Sequence, residues 1–331
     1  MADTPFKLAT VEDGRSPFAV LMVRDSAFRV DTLYRAWRQG RRGSALLGVS
    51  SIQLLLAEWD QNFDALCEMA AFAAAGDAPE EVTVDISSVR FLPPITAPGK
   101  MIYAAANYGD HIREMLNAGT ARNDAERDDM LDRDKTRVRP YSFLKAPSAL
   151  SGAHDDIILP SDSTKVDWEV ELAMVVSRRT KRIAAENAMD CIAGFTTTND
   201  VSARDWNMRE DWVTLRTDWF GGKSHDTFAP MGPYFVPRAF VPDHMNLRLT
   251  LKVNGETKQE GNTGEMVFSP EEQIEFASEM ITLEPGDILS TGTPAGVGHG
   301  AGTYLQVGDV VETEVEGLGA MRNNVVAETT D

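Results

Sequence analysis

Cysteine is scarce in this chain. Cys67 and Cys191 are the only two in 331 residues, far apart and without the close spacing of a metal motif. A disulfide framework and a thiolate zinc site are both set aside, and the cytoplasm is the expected compartment. Long apolar runs are missing as well. The nearest candidate, residues 69–75, falls far short of the roughly 20 residues that cross a bilayer. The first residues show no basic stretch leading into an apolar one. Basic charge is in deficit, with 32 Lys and Arg against 51 Asp and Glu, a net charge of -19. Phosphate backbones want clustered cations, so nucleic acid is not an expected partner. A small anionic substrate stays open, because a metal ion and one lysine reverse the sign locally. No internal repeat and no low-complexity segment is present.

What is there reads as a soluble globular chain long enough for two domains. Residues 1–92 form a small α+β unit. Strands are expected at 18–23 and 28–30 with a turn at 24–26, and helical periodicity at 52–75 breaks near 60–62. A proline-rich connector follows at 91–100. Residues 93–331 then hold the chemistry. A buried strand at 101–106 runs into a helix carrying Asp110, His111 and Glu114. Residues 117–139 are dense in charge of both signs. They read as a solvated helix or a weakly held segment, and their place after the helix suggests a lid near 112–140. A hairpin about Asn254-Gly255 and a helix at 270–280 capped by Ser269 and Glu272 are also expected.

The centre of the chain is the stretch from Asp167 to Val176. Apolar and other residues alternate there, and Glu169 and Glu171 share one face of a strand. Neighbouring carboxylates repel unless something positive lies between them. A divalent cation resolves this; a solvent-facing polar strand is the alternative. Ala173 and Val175 follow on the same face and argue against simple solvation. A β-branched strand at 192–199 then delivers Asp200, as a ligand or as the N-cap of the next helix. His111 and Glu114, three apart on a helix, make either a carboxylate-oriented general base or an exposed pair without consequence. Lys223 sits in a glycine-rich loop, as a surface residue or as a contact for an anion. Residues 285–298 read as a strand opening into a glycine-rich loop suited to a small carboxylate, without the phosphate-loop pattern. His154, His244 and His299 read as turn, surface and loop residues.

These passages, in order, resemble the fumarylacetoacetate hydrolase family. The likeness is carried by Asn107-Tyr108-x-Asp110-His111-x-x-Glu114, Asp167-x-Glu169-x-Glu171-Leu172 and Thr198-Asn199-Asp200-x-Ser202-Ala203-Arg204. It continues through Gly222-Lys223-Ser224-x-Asp226-Thr227-Phe228 and Thr291-Gly292-Thr293-Pro294-Ala295-Gly296-Val297-Gly298. The resemblance implies an α+β, β-rich fold: a mixed β-sandwich roll carrying the catalysis, with the small α+β unit ahead of it, usually as a homodimer. It implies a metal held by Glu169, Glu171 and Asp200, for which all-oxygen ligation suits Mg²⁺, with Mn²⁺ and Ca²⁺ as alternatives. His111 with Glu114 matches a water-activating pair and Lys223 an oxyanion partner. Arg204, Asn207, Thr293 and Tyr108 match substrate-contacting positions. Asp110 is a candidate fourth metal contact, and His225 stands where relatives commonly carry Phe. The implied activity is metal-dependent hydrolysis of a carbon–carbon bond in an acylpyruvate or related β-diketo acid, in catabolism of aromatic compounds or sugar acids. Decarboxylation or keto–enol isomerisation on the same fold is the alternative, and a non-catalytic binding protein a third reading.

Overall fold

Strand residues outnumber helical ones in this molecule. The computed structural model describes residues 4–39, 45–118, 138–209, 211 and 214–329. The core of the charged segment read as a lid, residues 119–137, lies outside the described residues. The fold is α+β and strand-rich, a mixed β-sandwich roll. An 11-stranded sheet carries, along its main path, the strands Ser26–Arg29, Phe18–Val23, Lys7–Glu12, Ala229–Pro237, Ile192–Asn199, Val170–Val176, Ile288–Ser290, Met101–Ala105 and Tyr141–Lys145. A 5-stranded sheet runs Glu256–Asn262, Arg248–Val253, Val310–Val315, Gly319–Ala327, Ile157–Leu159. The strands Val170–Val176 and Ile192–Asn199 pack against Arg248–Val253 and Val310–Val315, which closes the core between the sheets.

Every residue of Val170–Val176 and of Ile192–Asn199 is buried. The alternation at 167–176 therefore marks no solvent side; both faces are covered, and the polar positions point into the protein. Glu169 stands just ahead of the strand, between it and the short strand Val166–Asp167. The antiparallel register pairs Val170 with Asn199 and Glu171 with Thr198. Continued by one residue, that register sets Glu169 beside Asp200, and the Asp200 N–H donates to the Glu169 carbonyl at 2.8 Å.

Several sequence expectations hold in detail. The hairpin turns at Asn254 and Gly255, with φ of 53° and 79°, as a two-residue turn of this type needs. The helix Pro270–Met280 opens on the expected reciprocal cap between Ser269 and Glu272. Two expectations shift. The helical stretch at 52–75 breaks at residues 57–58, between Ile52–Leu56 and Trp59–Ala74. Lys223 lies at the end of a short helix, Trp219–Lys223, and not in a loop. Asp218 caps it by accepting from the Gly221 N–H at 2.8 Å. Gly222 is there because the helix presses on its neighbour: a Cβ would fall 2.4 Å from Asn207 Cβ. The glycines suggested a loop; they serve a close approach instead.

The N-terminal strands join the main sheet through the bridge of Leu8 to Phe235. Trp59 meets Phe235 edge-on, with ring centroids 5.2 Å apart. Among the described residues no helix is long and apolar enough to cross a membrane.

Candidate active site

The register just described gathers Glu169, Glu171 and Asp200, all buried, with one ligand oxygen from each lying within 4.8 Å of the others. Their partners differ. Glu169 accepts from Arg204 and, at 2.9 Å, from Lys223. Asp200 accepts from Lys223 at 2.6 Å and from Lys145, so it does not serve as the N-cap of the following helix. Among the described residues no cation is bonded to Glu171. One of its oxygens accepts from the Ser290 hydroxyl and from the Gly292 N–H at 3.0 Å; the other is buried with no partner among the described residues.

The electrostatics follow from these contacts. Burial pushes the Glu169 carboxyl up, but Lys223 and Arg204 outweigh it and hold it below the usual range. Burial raises the Glu171 carboxyl well above that range, and the Asp200 and Glu169 charges push it further. Burial also lowers Lys145 to about 8, against the pull of Asp200.

Two of these partners escaped the sequence reading. Lys145 is fully buried at the end of the edge strand Tyr141–Lys145, where its Nζ also donates to the Val201 carbonyl at 3.0 Å. Its signal was a lysine closing an apolar strand run. Asp167 appeared only as a motif letter. In the fold it accepts from Arg204 Nε at 2.9 Å and from the backbone N–H groups of Gly298 at 2.6 Å and His299 at 3.0 Å. It thereby ties the guanidinium to the glycine-rich loop.

His111 and Glu114 lie on the helix Gly109–Asn117. His111 is buried, with Nδ1 3.5 Å from a Glu114 oxygen. The same carboxylate accepts from the Gly296 N–H at 3.0 Å and 3.1 Å. Glu114 is therefore fixed by the glycine-rich loop as well as by its own helix. Thr293 in that loop donates to the Val170 carbonyl at 2.8 Å and accepts from Gln259 at 2.8 Å.

A cavity of about 490 Å³ opens over this cluster. Its wall includes His111, Glu169, Glu171, Arg204, Asn207, Lys223 and Thr293. Asp200 stands behind Lys223. Tyr108 and Glu114 lie outside the wall, and the Tyr108 hydroxyl is buried without a partner. Asp110 falls outside the carboxylate group and holds backbone instead, accepting from the His111 N–H at 2.7 Å. His299 lines the cavity, with Nδ1 3.0 Å from the Tyr304 hydroxyl. His225 is turned away, packed 4.9 Å from the Phe228 ring. His244 is half-buried, 2.9 Å from Glu271 and stacked on Phe195.

The donor set fits a hard divalent cation. Four buried carboxylates, Asp167, Glu169, Glu171 and Asp200, face three cations, Lys145, Arg204 and Lys223, which leaves one negative charge when all are ionised. A divalent ion would turn that balance to one positive charge, and a bound carboxylate substrate would neutralise it. The unpartnered Glu171 oxygen is the vacant lone pair that such an ion needs.

Comparison with known proteins agrees with the geometry. Residues 100–326 match the family described as fumarylacetoacetate (FAA) hydrolase C-terminal, and the chain belongs to that family. It is 44% identical over 242 residues to the mitochondrial oxaloacetate tautomerase FAHD2A of Bos taurus, covering 72% of this chain and 70% of the relative. Among solved structures, the 5-carboxymethyl-2-hydroxymuconate delta-isomerase of Mycobacterium smegmatis aligns with a TM-score of 0.67 at 27% identity, over 98% of this chain and 100% of that one. The maleylpyruvate hydrolase of Sphingobium sp. SYK-6 aligns with a TM-score of 0.70 at 26% identity, over 97% of this chain and 100% of that one. The family's enzymes thus include hydrolases, isomerases and tautomerases.

Proposed function

We propose that this member of the fumarylacetoacetate hydrolase family is a metal-dependent hydrolase that cleaves a carbon–carbon bond in an acylpyruvate or related 2,4-dioxo acid. The observation that carries the reading is His111. It is buried in the cavity wall over the carboxylate cluster, with Glu114 on its Nδ1 side. A carboxylate on that side favours the proton at Nδ1, which lets the second nitrogen serve as the base toward water.

Glu169, Glu171 and Asp200 would hold the cation, with Mg²⁺ the first choice. A divalent ion there polarises the keto oxygen of a 2-oxo acid. The remaining work falls to side chains. Arg204, Asn207 and Thr293 orient the substrate, with Tyr108 supporting from behind the wall. His111 takes a proton from water, whose oxygen attacks the distal carbonyl carbon. The bond between that carbon and the neighbouring methylene breaks, and its electron pair leaves with the pyruvate fragment as an enolate. Lys223 donates to the enolate oxygen. The proton held by His111 returns to the methylene carbon, so one water and one acylpyruvate give one carboxylic acid and one pyruvate.

A second reading is keto–enol tautomerisation or decarboxylation of a 2-oxo diacid. The names of relatives 41–44% identical to the chain, oxaloacetate tautomerases, favour it. The same site would then move protons without cleaving an acyl group. We further propose a cytoplasmic homodimer in a catabolic route for aromatic compounds or sugar acids; light scattering of the purified protein checks the dimer. The test of the activity is an acylpyruvate panel with purified protein and Mg²⁺, read by NMR for free carboxylic acid and pyruvate. Release of both supports hydrolysis. Loss of CO₂ or enol–keto exchange with no acyl release overturns it.

A further inference from the structure

The two ends of the cavity are built from different chemistry. Its described cationic and histidine side chains, His111, Arg204, Lys223 and His299, all belong to the carboxylate end: His111 and Lys223 act on Glu169, Arg204 pairs with it, and the His299 backbone is held by Asp167. The rest of the wall is largely apolar, from Ala104, Ala105, Ala106, Met115, Ala118 and Met208, with Thr217 and three aromatic rings completing it.

Those rings form a ladder that starts at the proposed oxyanion partner. Lys223 Nζ lies 5.1 Å from the Phe143 ring centroid. Phe143 stacks on Trp219, with centroids 4.8 Å apart and planes 25° apart. Trp219 meets Tyr141 at 5.6 Å. Trp219 and Lys223 sit four residues apart on one short helix, so they project to the same side. The helix that supplies the lysine thus also supplies the central rung. The Trp219 indole N–H is buried and has no acceptor among the described residues.

We propose that this end is a subsite for an aryl group, and that the 2-oxo acid taken by the site carries a phenyl-type substituent and not a second carboxylate. The inference rests on the metal-dependent 2-oxo acid reading given above and adds the nature of the tail. A flat ring gains by stacking beside Phe143 and Trp219, and the small Ala105 side chain next to Tyr141 on the paired strand takes up little of the space. A second carboxylate would meet rings, aliphatic side chains and Thr217 with no described cation, and burying an unpaired charge there is costly.

Calorimetry on the full-length protein with saturating Mg²⁺ tests this with three ligands that offer no acyl bond to hydrolyse: 2-oxobutanoate, 2-oxo-4-phenylbutanoate and 2-oxopentanedioate. Oxalate serves as the probe of the metal end. The expected result is that the phenyl compound binds at least tenfold tighter than 2-oxobutanoate, and that the diacid gains nothing. Trp219→Ala should shrink the phenyl-to-methyl ratio below threefold. Tyr141→Ala, at a residue 53% exposed, should lower the same ratio and serves if the tryptophan variant does not fold. Equal affinity for all three ligands, or a preference for the diacid, overturns the aryl subsite while leaving the metal site standing. Failure of oxalate and of all three acids to bind overturns the underlying 2-oxo acid reading, and the aryl subsite with it.

Discussion

The charged end and the aromatic end of one cavity show how differently a fold can encode a site. At the charged end nearly every polar atom is spoken for. Four carboxylates, three cations and the N–H groups of the glycine-rich loop hold one another, and among the described residues one Glu171 oxygen and His111 Nδ1 are buried without a hydrogen-bond partner. At the aromatic end the order comes from ring packing, and Tyr141 remains largely exposed. The first arrangement is rigid because any displaced charge would be buried without a partner. The second tolerates change because a ring lost from a half-open wall is replaced by water. Chemistry should therefore reside at the charged end and selectivity at the other.

Substitutions can break this division, beginning with the largest effect. His111→Asn should lower kcat by roughly 10²–10⁴ while leaving Mg²⁺ affinity almost unchanged, as steady-state kinetics and calorimetry together would show; a small loss of kcat would remove the histidine from the proton transfer. Lys223→Met should lower kcat by about 10²–10³. It also leaves Glu169 and Asp200 with one cation each, so thermal unfolding should show a loss of stability. Asp167→Asn is subtler. It frees Arg204 and the loop N–H groups without touching the cavity, and an outer partner of this kind is worth roughly 10–100-fold. That loss should appear in KM for the 2-oxo acid more than in kcat. A change in kcat alone would mean that Arg204 needs no such brace.

The smallest expected effect at the site comes from the other side of the molecule. We propose residue 92 as the boundary between the N-terminal unit and the catalytic unit. Leu33 is fully buried in the former. Leu33→Ala should cost about 2–5 kcal/mol of stability and leave Mg²⁺ affinity within roughly twofold, since distant sites without shared partners act independently. Melting curves and a metal titration on one preparation decide it; a large loss of affinity would mean that the two units act as one.

Much of the charged end was legible in the sequence because its residues sit at fixed spacings on regular elements. Glu169 and Glu171 mark a strand, Asp200 the end of its partner, and His111 with Glu114 a helix face. The aromatic end was not legible. Phe143 and Tyr141 come from an edge strand and Trp219 from a helix more than seventy-five residues later, and no periodicity links them. Lys145 was missed for a related reason: its partner Asp200 is 55 positions away. The helix at Trp219–Lys223 was hidden by two glycines, and the purpose of Gly222, contact with Asn207, exists only in three dimensions.

The central claim is that Glu169, Glu171 and Asp200 hold a divalent cation. Calorimetric titration of the metal-stripped protein with Mg²⁺ or Mn²⁺, beside Glu171→Gln, tests it most directly. Glu171→Gln keeps the shape of the side chain and removes the charge of the one carboxylate without a bonded cation. The account predicts one ion per chain for the parent protein and an affinity lower by on the order of 10²-fold or more in the variant. Equal affinity in the two proteins, or no binding in the parent, would contradict it.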